Sequence, residues 1–139
     1  MTEHGNVALK TAAGNSLRFD AQFTQGTIVL DSGEGAVAPN PVQHLLASLA
    51  ACVGMDVISL LRKKRQQVSA YEITMSAERS NEHPRRLVSV HLVHRVTGHG
   101  VQRAALEDSL RLSVEKYCSV HHTLRPDLPI TNDIEILEQ

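Results

Sequence analysis

The sequence contains little aromatic surface: aromatic residues make up 3 % of its 139 residues, and tryptophan is absent. Leu, Val, Ile and Ala must therefore supply most of the buried apolar area. A chain of this length has room for one hydrophobic core, so we expect a single domain over residues 1–139. A core built from these smaller side chains gains from contact with a partner subunit.

The sequence also lacks an excess of charge of either sign. Lys and Arg number 14 against 15 for Asp and Glu, which gives a formal net charge of −1. This balance does not favour a phosphate backbone as ligand, so we expect no nucleic-acid partner. No glycine-rich phosphate loop and no Gly-x-Ser-x-Gly motif occurs. The basic run over residues 62–65 is more typical of a solvated helix end.

Signal and membrane segments are not expected either. Residues 1–15 are polar and small, unlike a charged and then apolar signal sequence. The segment from Leu45 to Leu61 approaches the length of a membrane span, but Asp56 lies near its centre, and Ala and Gly dilute its hydrophobicity. We therefore expect no membrane association and predict a cytoplasmic protein.

This same apolar segment predicts a central helix. Asn40 can accept a hydrogen bond from an early helical N–H, Pro41 suits the first helical position, and Gln43 can close a capping box. Between Leu45 and Leu61 the helix is apolar around nearly its whole circumference, as in a helix packed on several sides. Cys52 lies near its middle.

The pattern of the remaining segments indicates strands on both sides of this helix and hence an α+β fold. Before the helix, an antiparallel meander of three short strands is predicted over residues 6–11, 16–23 and 27–31. After it, alternation predicts an antiparallel pair of long, half-buried strands over residues 68–79 and 86–96, with Val88 among the inward positions.

A helical period replaces the strand period in the last third of the chain. It begins at Val101 and predicts a second amphipathic helix that runs into Cys118, so that both cysteines lie inside helices. A short helical turn over residues 119–124 and a last strand over residues 130–137 complete the predicted order.

The two cysteines are the first candidates for chemistry. They are too few for a secreted disulfide framework, and their spacing matches no zinc site. One interpretation is a pair of buried and inert small side chains. The other is a redox pair, in which one thiolate attacks an electrophile such as a peroxide oxygen and the other thiol resolves the sulfenic acid as a disulfide. They can meet only if the two predicted helices pack together.

The sequence offers few groups that would activate a thiol. Cys52 lies about three turns into its helix, too far from the N-terminus for the helix dipole to act. Asp56, one turn later, is either hydrogen-bonded to a helix end or a partner subunit, or a functional carboxylate. Arg18 and His121 are the candidate cations. Glu115 is a candidate proton acceptor or an ordinary surface glutamate.

The histidines do not form a metal-binding pattern. His94 falls on an otherwise apolar strand face, whereas His91 points to the opposite face, so the two cannot chelate together. His121 and His122 follow Cys118 closely, but no further ligand spacing accompanies them. We therefore expect no metal.

Two separated motifs carry a family resemblance. The first runs from Ala38-Pro-Asn-Pro to Ala50-Ala51-Cys52, and the second is Glu115-Lys-Tyr-Cys-Ser-Val120. Together they resemble the OsmC/Ohr superfamily of thiol-dependent hydroperoxide reductases. Additional matches are similar to its YhfA-like branch: Asp56-Val57, Leu60, Val68, Glu78-Arg79, Pro84 and Val96-Thr97-Gly98.

The resemblance implies an OsmC-like α+β fold and an intertwined homodimer, in which N-terminal strands of one subunit complete the sheet of the other. It implies that Cys52 is the peroxidatic cysteine and Cys118 the resolving cysteine. The implied substrate is a small or fatty organic hydroperoxide, and the implied reductant is a dithiol. Neither a metal nor an organic cofactor is implied.

The sequence departs from this pattern at one position. In the peroxidases of the family a carboxylate follows the proline that opens the central helix and works with an arginine from the N-terminal strands. Here that position is Val42, and Arg18 is the candidate arginine. The departure favours an alternative function: a dimer that binds a small apolar ligand, with both thiols inert.

Overall fold

The computed structural model describes residues 1–11 and 14–139. These residues divide into two compact units, Met1–Leu46 and Ala47–Gln139. Whether the two units fold cooperatively as a single domain over residues 1–139 stays a prediction.

The first unit contains the predicted antiparallel meander. Its strands are β1 (Asn6–Leu9), β2 (Phe19–Phe23) and β3 (Gly26–Leu30), hydrogen-bonded in the order β1-β2-β3. Strands β1 and β2 are shorter than their predicted segments, and β3 is shifted by one residue towards the N-terminus. The turn between β2 and β3 is tight, because Phe23 pairs with Gly26.

One face of this meander is apolar and open. Alternation and register place seven side chains on the same face, which we name the apolar strand face: Val7, Leu9, Phe19, Ala21, Phe23, Ile28 and Leu30. Val7 is 59 % exposed, Phe23 46 % and Ile28 42 %. A contiguous exposed apolar surface of this kind is typical of an interaction site.

The central helix α1 (Pro41–Lys63) begins as the sequence predicts. The side-chain oxygen of Asn40 accepts a hydrogen bond from the Gln43 N–H at 2.9 Å, and the Gln43 side chain accepts one from the Asn40 N–H at 2.8 Å. This reciprocal pair is the predicted capping box. The His44 ring then donates to the carbonyl of Val29 at 2.9 Å and ties the first turn to β3.

Only one side of α1 is buried, which corrects the expectation of packing on several sides. The buried residues are Leu49, Ala50, Val53, Gly54, Val57 and Leu61, whereas Met55 is 69 % exposed. Gly54 allows a close approach to the neighbouring strand, since a Cβ there would lie 2.8 Å from Cδ1 of Ile73. Among the described helices, α1 alone has the length and composition of a membrane span.

The second unit is built on a sheet of strands β4 (Gln67–Arg79), β5 (Leu87–His99) and β6 (Ile130–Glu138). Strand β5 is central, antiparallel to β4 and parallel to β6. Its inward side chains, Val90, Leu92, His94 and Val96, are almost completely buried. The predicted strands and the antiparallel pairing of β4 with β5 are confirmed.

Val88 is an exception to the predicted alternation, because it is 40 % exposed. The pairing with β4 shifts at this end of the strand, from Glu78 opposite Ser89 to Arg79 opposite Leu87. Val88 therefore lies in a β-bulge, where alternation no longer determines which face a side chain occupies.

The last helical region differs from the prediction of one helix ending at Cys118. Helix α2 (Arg103–Leu112) continues into a π-helical segment, Ser113–Tyr117, which we name the π turn, and the short helix α3 (Ser119–Thr123) follows. Cys118 lies between them in an extended conformation and is the N-cap of α3. The prediction that both cysteines lie inside helices is therefore wrong for Cys118.

Candidate functional site

The two thiols come together in the second unit of the structure. Cys52 is half-buried on α1, and Cys118 is completely buried at the end of the π turn. The Cys52 side chain lies close enough to Cys118 to raise the pKa of its thiol, and both cysteines are free. The sequence left this contact open, because it depends on the packing of distant segments.

The environment of Cys118 favours its protonated form. Burial, the largest effect, and the neighbouring Cys52 side chain together raise the pKa of this thiol to about 11. The backbone N–H groups of His121 and Val120 act in the opposite direction, the former at 3.3 Å from the sulfur. Cys118 is therefore a neutral thiol at physiological pH.

The π turn places Cys118 beside α1. The N–H of Cys118 donates to the carbonyl of Ser113 at 2.8 Å, a bond that spans five residues rather than four. Ser113 is fully buried, and its hydroxyl donates to Oδ2 of Asp56 at 2.8 Å. Of the alternatives considered for Asp56, the structure shows a hydrogen bond, and its partner is the first residue of the π turn.

The three other candidates for thiol activation have the following surroundings. Glu115 is exposed and accepts a hydrogen bond from Arg111 at 2.9 Å, as an ordinary surface glutamate does. Burial lowers the pKa of His121, so its ring is not a cation beside Cys118 at neutral pH. Arg18, in the first unit, pairs with Asp20 at 3.0 Å.

His94 lies on the buried strand face that the sequence predicts, but the sequence did not predict the hydrogen-bond partners of its ring. Its Nε2 donates to the side-chain oxygen of Asn132 at 2.8 Å, and its Nδ1 accepts from the Tyr71 hydroxyl at 2.6 Å. Burial lowers the pKa of His94 and raises the pKa of Tyr71, so both rings are neutral. Asn132 occupies an inward position of β6, on the same face as Ile130 and Ile134, and this position was the available signal.

Two hollows lie along opposite sides of α1. The larger, which we name the apolar groove, has a volume of about 400 Å³ and is lined by Ala47, Ala50, Ala51, Gly54, Met55, Ile58, Tyr71, Ile73 and Met75. The smaller has a volume of about 170 Å³ and is lined by Asp56, Ser59, Leu60, Lys63 and Tyr117. The first suits an apolar molecule or surface, and the second contains the carboxylate that Ser113 contacts.

The histidines beside Cys118 are not arranged as metal ligands. The His122 ring donates to the carbonyl of Val114 at 3.0 Å, so one of its nitrogens is already occupied. In the part of the chain that the structure describes, no three His, Cys, Asp or Glu side chains are grouped to hold a metal ion.

The sequence and fold match known proteins over most of the chain. The family described as OsmC-like protein matches residues 32–133. Protein YhfA of Escherichia coli strain K12 is 36 % identical over 110 residues, which cover 79 % of this chain and 82 % of YhfA.

Solved structures extend this similarity to the whole fold. A hypothetical protein from Aquifex aeolicus superposes with a TM-score of 0.87 at 29 % identity, covering 100 % of this chain and 98 % of that chain. The organic hydroperoxide resistance protein OhrB of Bacillus subtilis superposes with a TM-score of 0.64 at 14 % identity, covering 97 % and 98 %. The α+β fold is therefore the OsmC-like fold, and the chain belongs to the OsmC-like protein family.

Proposed function

We propose that this protein reduces organic hydroperoxides with Cys52 and Cys118. The Cys52 thiolate attacks one peroxide oxygen, so that an S–O bond forms and the O–O bond breaks. The alkoxide that leaves takes up the proton that the Cys52 thiol released to solvent and departs as the alcohol. The sulfenic acid then reacts with the Cys118 thiol, which forms the S–S bond and releases water. A small dithiol reduces this disulfide and is itself oxidised. Neither a metal nor an organic cofactor takes part.

The direct contact between the two thiols is the observation that carries this proposal. A disulfide needs the two Cβ atoms within about 3.5–4.5 Å of each other. Thiols that already lie close enough to interact need little movement to satisfy that requirement. Two inert core cysteines have no reason to be neighbours, whereas a redox pair must be.

The difference in burial supports the two proposed roles. Cys52 is the more accessible cysteine, and a peroxide can reach it first. Cys118 is fully buried, and its raised pKa keeps it protonated, which disfavours a first attack by this sulfur. These properties agree with the order of events that the family resemblance implies, with Cys52 as the attacking residue and Cys118 as the resolving residue.

A homodimer in the cytoplasm is part of the same proposal. The apolar strand face leaves large side chains exposed, and a second copy of the chain would bury them. Intertwined N-terminal strands, as the family resemblance implies, would provide that cover. A reducing cytoplasm would also supply the dithiol that regenerates the enzyme.

The second candidate function is binding of a small apolar ligand without chemistry. It is favoured by the apolar groove beside α1 and by Val42, which replaces a carboxylate that the family's peroxidases use. In that case the two thiols would stay reduced in the presence of peroxide.

Stoichiometric oxidation separates these functions. Reduced protein treated with one equivalent of cumene hydroperoxide should lose both thiols and two hydrogens of mass per chain, and it should react more slowly with hydrogen peroxide. Cys118→Ser should stop at the sulfenic acid, and Cys52→Ser should consume no peroxide. Intact mass and thiol titration provide the measurement. Unreacted thiols in the parent protein would establish the second function instead.

A further inference from the structure

We propose that Asp56 and Ser113 form a latch that holds Cys118 in position to form its disulfide with Cys52. Both are positioning residues, since they act through the backbone that carries Cys118. The inference extends the proposed function to the step that resolves the sulfenic acid.

The latch joins two elements that are far apart in sequence. Asp56 belongs to α1, one helical turn after Cys52, so the two side chains lie on the same side of that helix. Ser113 is the first residue of the π turn. The 2.8 Å bond from the Ser113 hydroxyl to Oδ2 of Asp56 therefore connects the two cysteine-bearing segments beside the thiol pair.

A second bond transmits the position of Ser113 to Cys118. The Ser113 carbonyl accepts the Cys118 N–H at 2.8 Å across the π turn. Cys118 leaves the helical conformation immediately afterwards, and its sulfur accepts the His121 N–H. Any movement of Ser113 away from Asp56 therefore moves the backbone of Cys118 as well.

Burying the Ser113 hydroxyl costs desolvation free energy that an apolar side chain at this position would not incur. Ser113 is fully buried, and its hydroxyl is directed at a carboxylate rather than at a carbonyl of its own helix. Ser109, one turn earlier and equally buried, shows the ordinary arrangement, because its hydroxyl donates to the Ala105 carbonyl at 2.7 Å. The Ser113 hydroxyl differs from that of Ser109 in that its hydrogen-bond partner lies on α1.

Latch and disulfide reinforce each other because both restrict the same separation between α1 and the π turn. By thermodynamic linkage, removing the latch must then weaken the disulfide. The net free energy of one intramolecular hydrogen bond is enough for an effect of up to about tenfold. The effective concentration of the two thiols should fall by about that factor when the latch is broken.

Equilibration with glutathione measures this quantity without any peroxide. Oxidised glutathione converts the reduced protein to its disulfide and yields two molecules of reduced glutathione, and the equilibrium constant is the effective concentration. We expect Ser113→Ala to lower this constant about tenfold, equivalent to a reduction potential about 30 mV higher. Ser109→Ala is the matched control and should leave it unchanged.

Substitutions at Asp56 test the other half of the latch. Asp56→Asn keeps an oxygen that accepts the Ser113 hydroxyl, so it should retain most of the effective concentration. Asp56→Ala should reproduce the loss seen in Ser113→Ala, and the double variant should lose no more than either single variant. Should Ser113→Ala fail to fold by circular dichroism, the comparison of Asp56→Ala with Asp56→Asn decides the question.

The latch and the peroxidase proposal fail separately. Equal constants for Ser113→Ala and Ser109→Ala, or for Asp56→Ala and Asp56→Asn, would overturn the latch even in an active peroxidase. A tenfold loss in a protein that ignores cumene hydroperoxide would support the latch and refute the peroxidase. In an active enzyme, Ser113→Ala should slow disulfide formation and leave the sulfenic acid step unchanged.

Discussion

His94 is a neutral histidine because burial and two hydrogen bonds hold its ring in one tautomer. Asn132 accepts from Nε2, so Nδ1 has no hydrogen and accepts from Tyr71. A proton added to Nδ1 would meet the Tyr71 hydroxyl and would carry a charge into the core. The lowered pKa of His94 expresses this cost.

The lowered pKa makes stability sensitive to acid. Between the lowered pKa of folded His94 and the unfolded value of about 6.5, the unfolded chain binds more protons. The contribution of neutral His94 to the free energy of unfolding should therefore be complete above about pH 6.5 and should fall as the pH drops below that value. His94→Gln should flatten this dependence in urea titrations, and the exposed His99→Gln should not. An unchanged slope in His94→Gln would contradict the assignment.

Sequence reasoning at the scale of single residues succeeded where side-chain chemistry is local. The capping pair Asn40 and Gln43 was predicted because its partners are three residues apart. The contacts of Asp56 with Ser113 and of His94 with Asn132 join distant segments, so the inward position of His94 was predictable but neither partner was. The same limit applies to the meeting of the two thiols.

At the scale of elements, the π turn shows what periodicity cannot detect. One extra residue in a helical turn leaves apolar residues near the expected positions, so Leu110 and Val114 still fit a helical pattern. The hydrogen bond from Cys118 to Ser113 nevertheless changes the direction of the chain. Cys118 consequently leaves the helix that the sequence predicted for it. The order and pairing of the strands were easier to predict from the sequence, because alternation extends over many residues.

Alanine substitutions at two glycines would measure how closely the elements of the second unit pack. A Cβ at Gly98 would lie 2.0 Å from the backbone oxygen of Gln67, whereas one at Gly54 would meet only the flexible tip of Ile73 at 2.8 Å. Gly98→Ala must therefore displace the β4 backbone, and we expect it to cost more than the roughly 1–3 kcal/mol typical of overpacking.

Gly54→Ala is the matched comparison for that substitution. Its steric cost is partly offset by the better helix propensity of alanine, worth about 1 kcal/mol. We therefore expect a smaller loss in the free energy of unfolding than for Gly98→Ala, as measured by urea denaturation. Equal losses at the two positions would show that the strand backbone yields as easily as a side chain.

At the scale of the whole molecule, the apolar strand face predicts assembly. Ile28 points to this face, while its neighbour Thr27 points to the other face of the same strand. We expect Ile28→Asp to shift a homodimer to monomer, because a carboxylate cannot be buried unpaired. Thr27→Asp is the matched control and should remain dimeric. Light scattering over a range of protein concentrations measures both, and a dimeric Ile28→Asp would place the interface elsewhere.

Complete burial of Cys118 also allows the opening of the π turn to be followed through the reactivity of its own thiol. An alkylating reagent can reach this sulfur only while the π turn is open, and its raised pKa makes the closed state still less reactive. Cys52, half-buried on α1, reacts without such an opening. The ratio of the two labelling rates therefore reports how often this segment opens, and it requires no added probe.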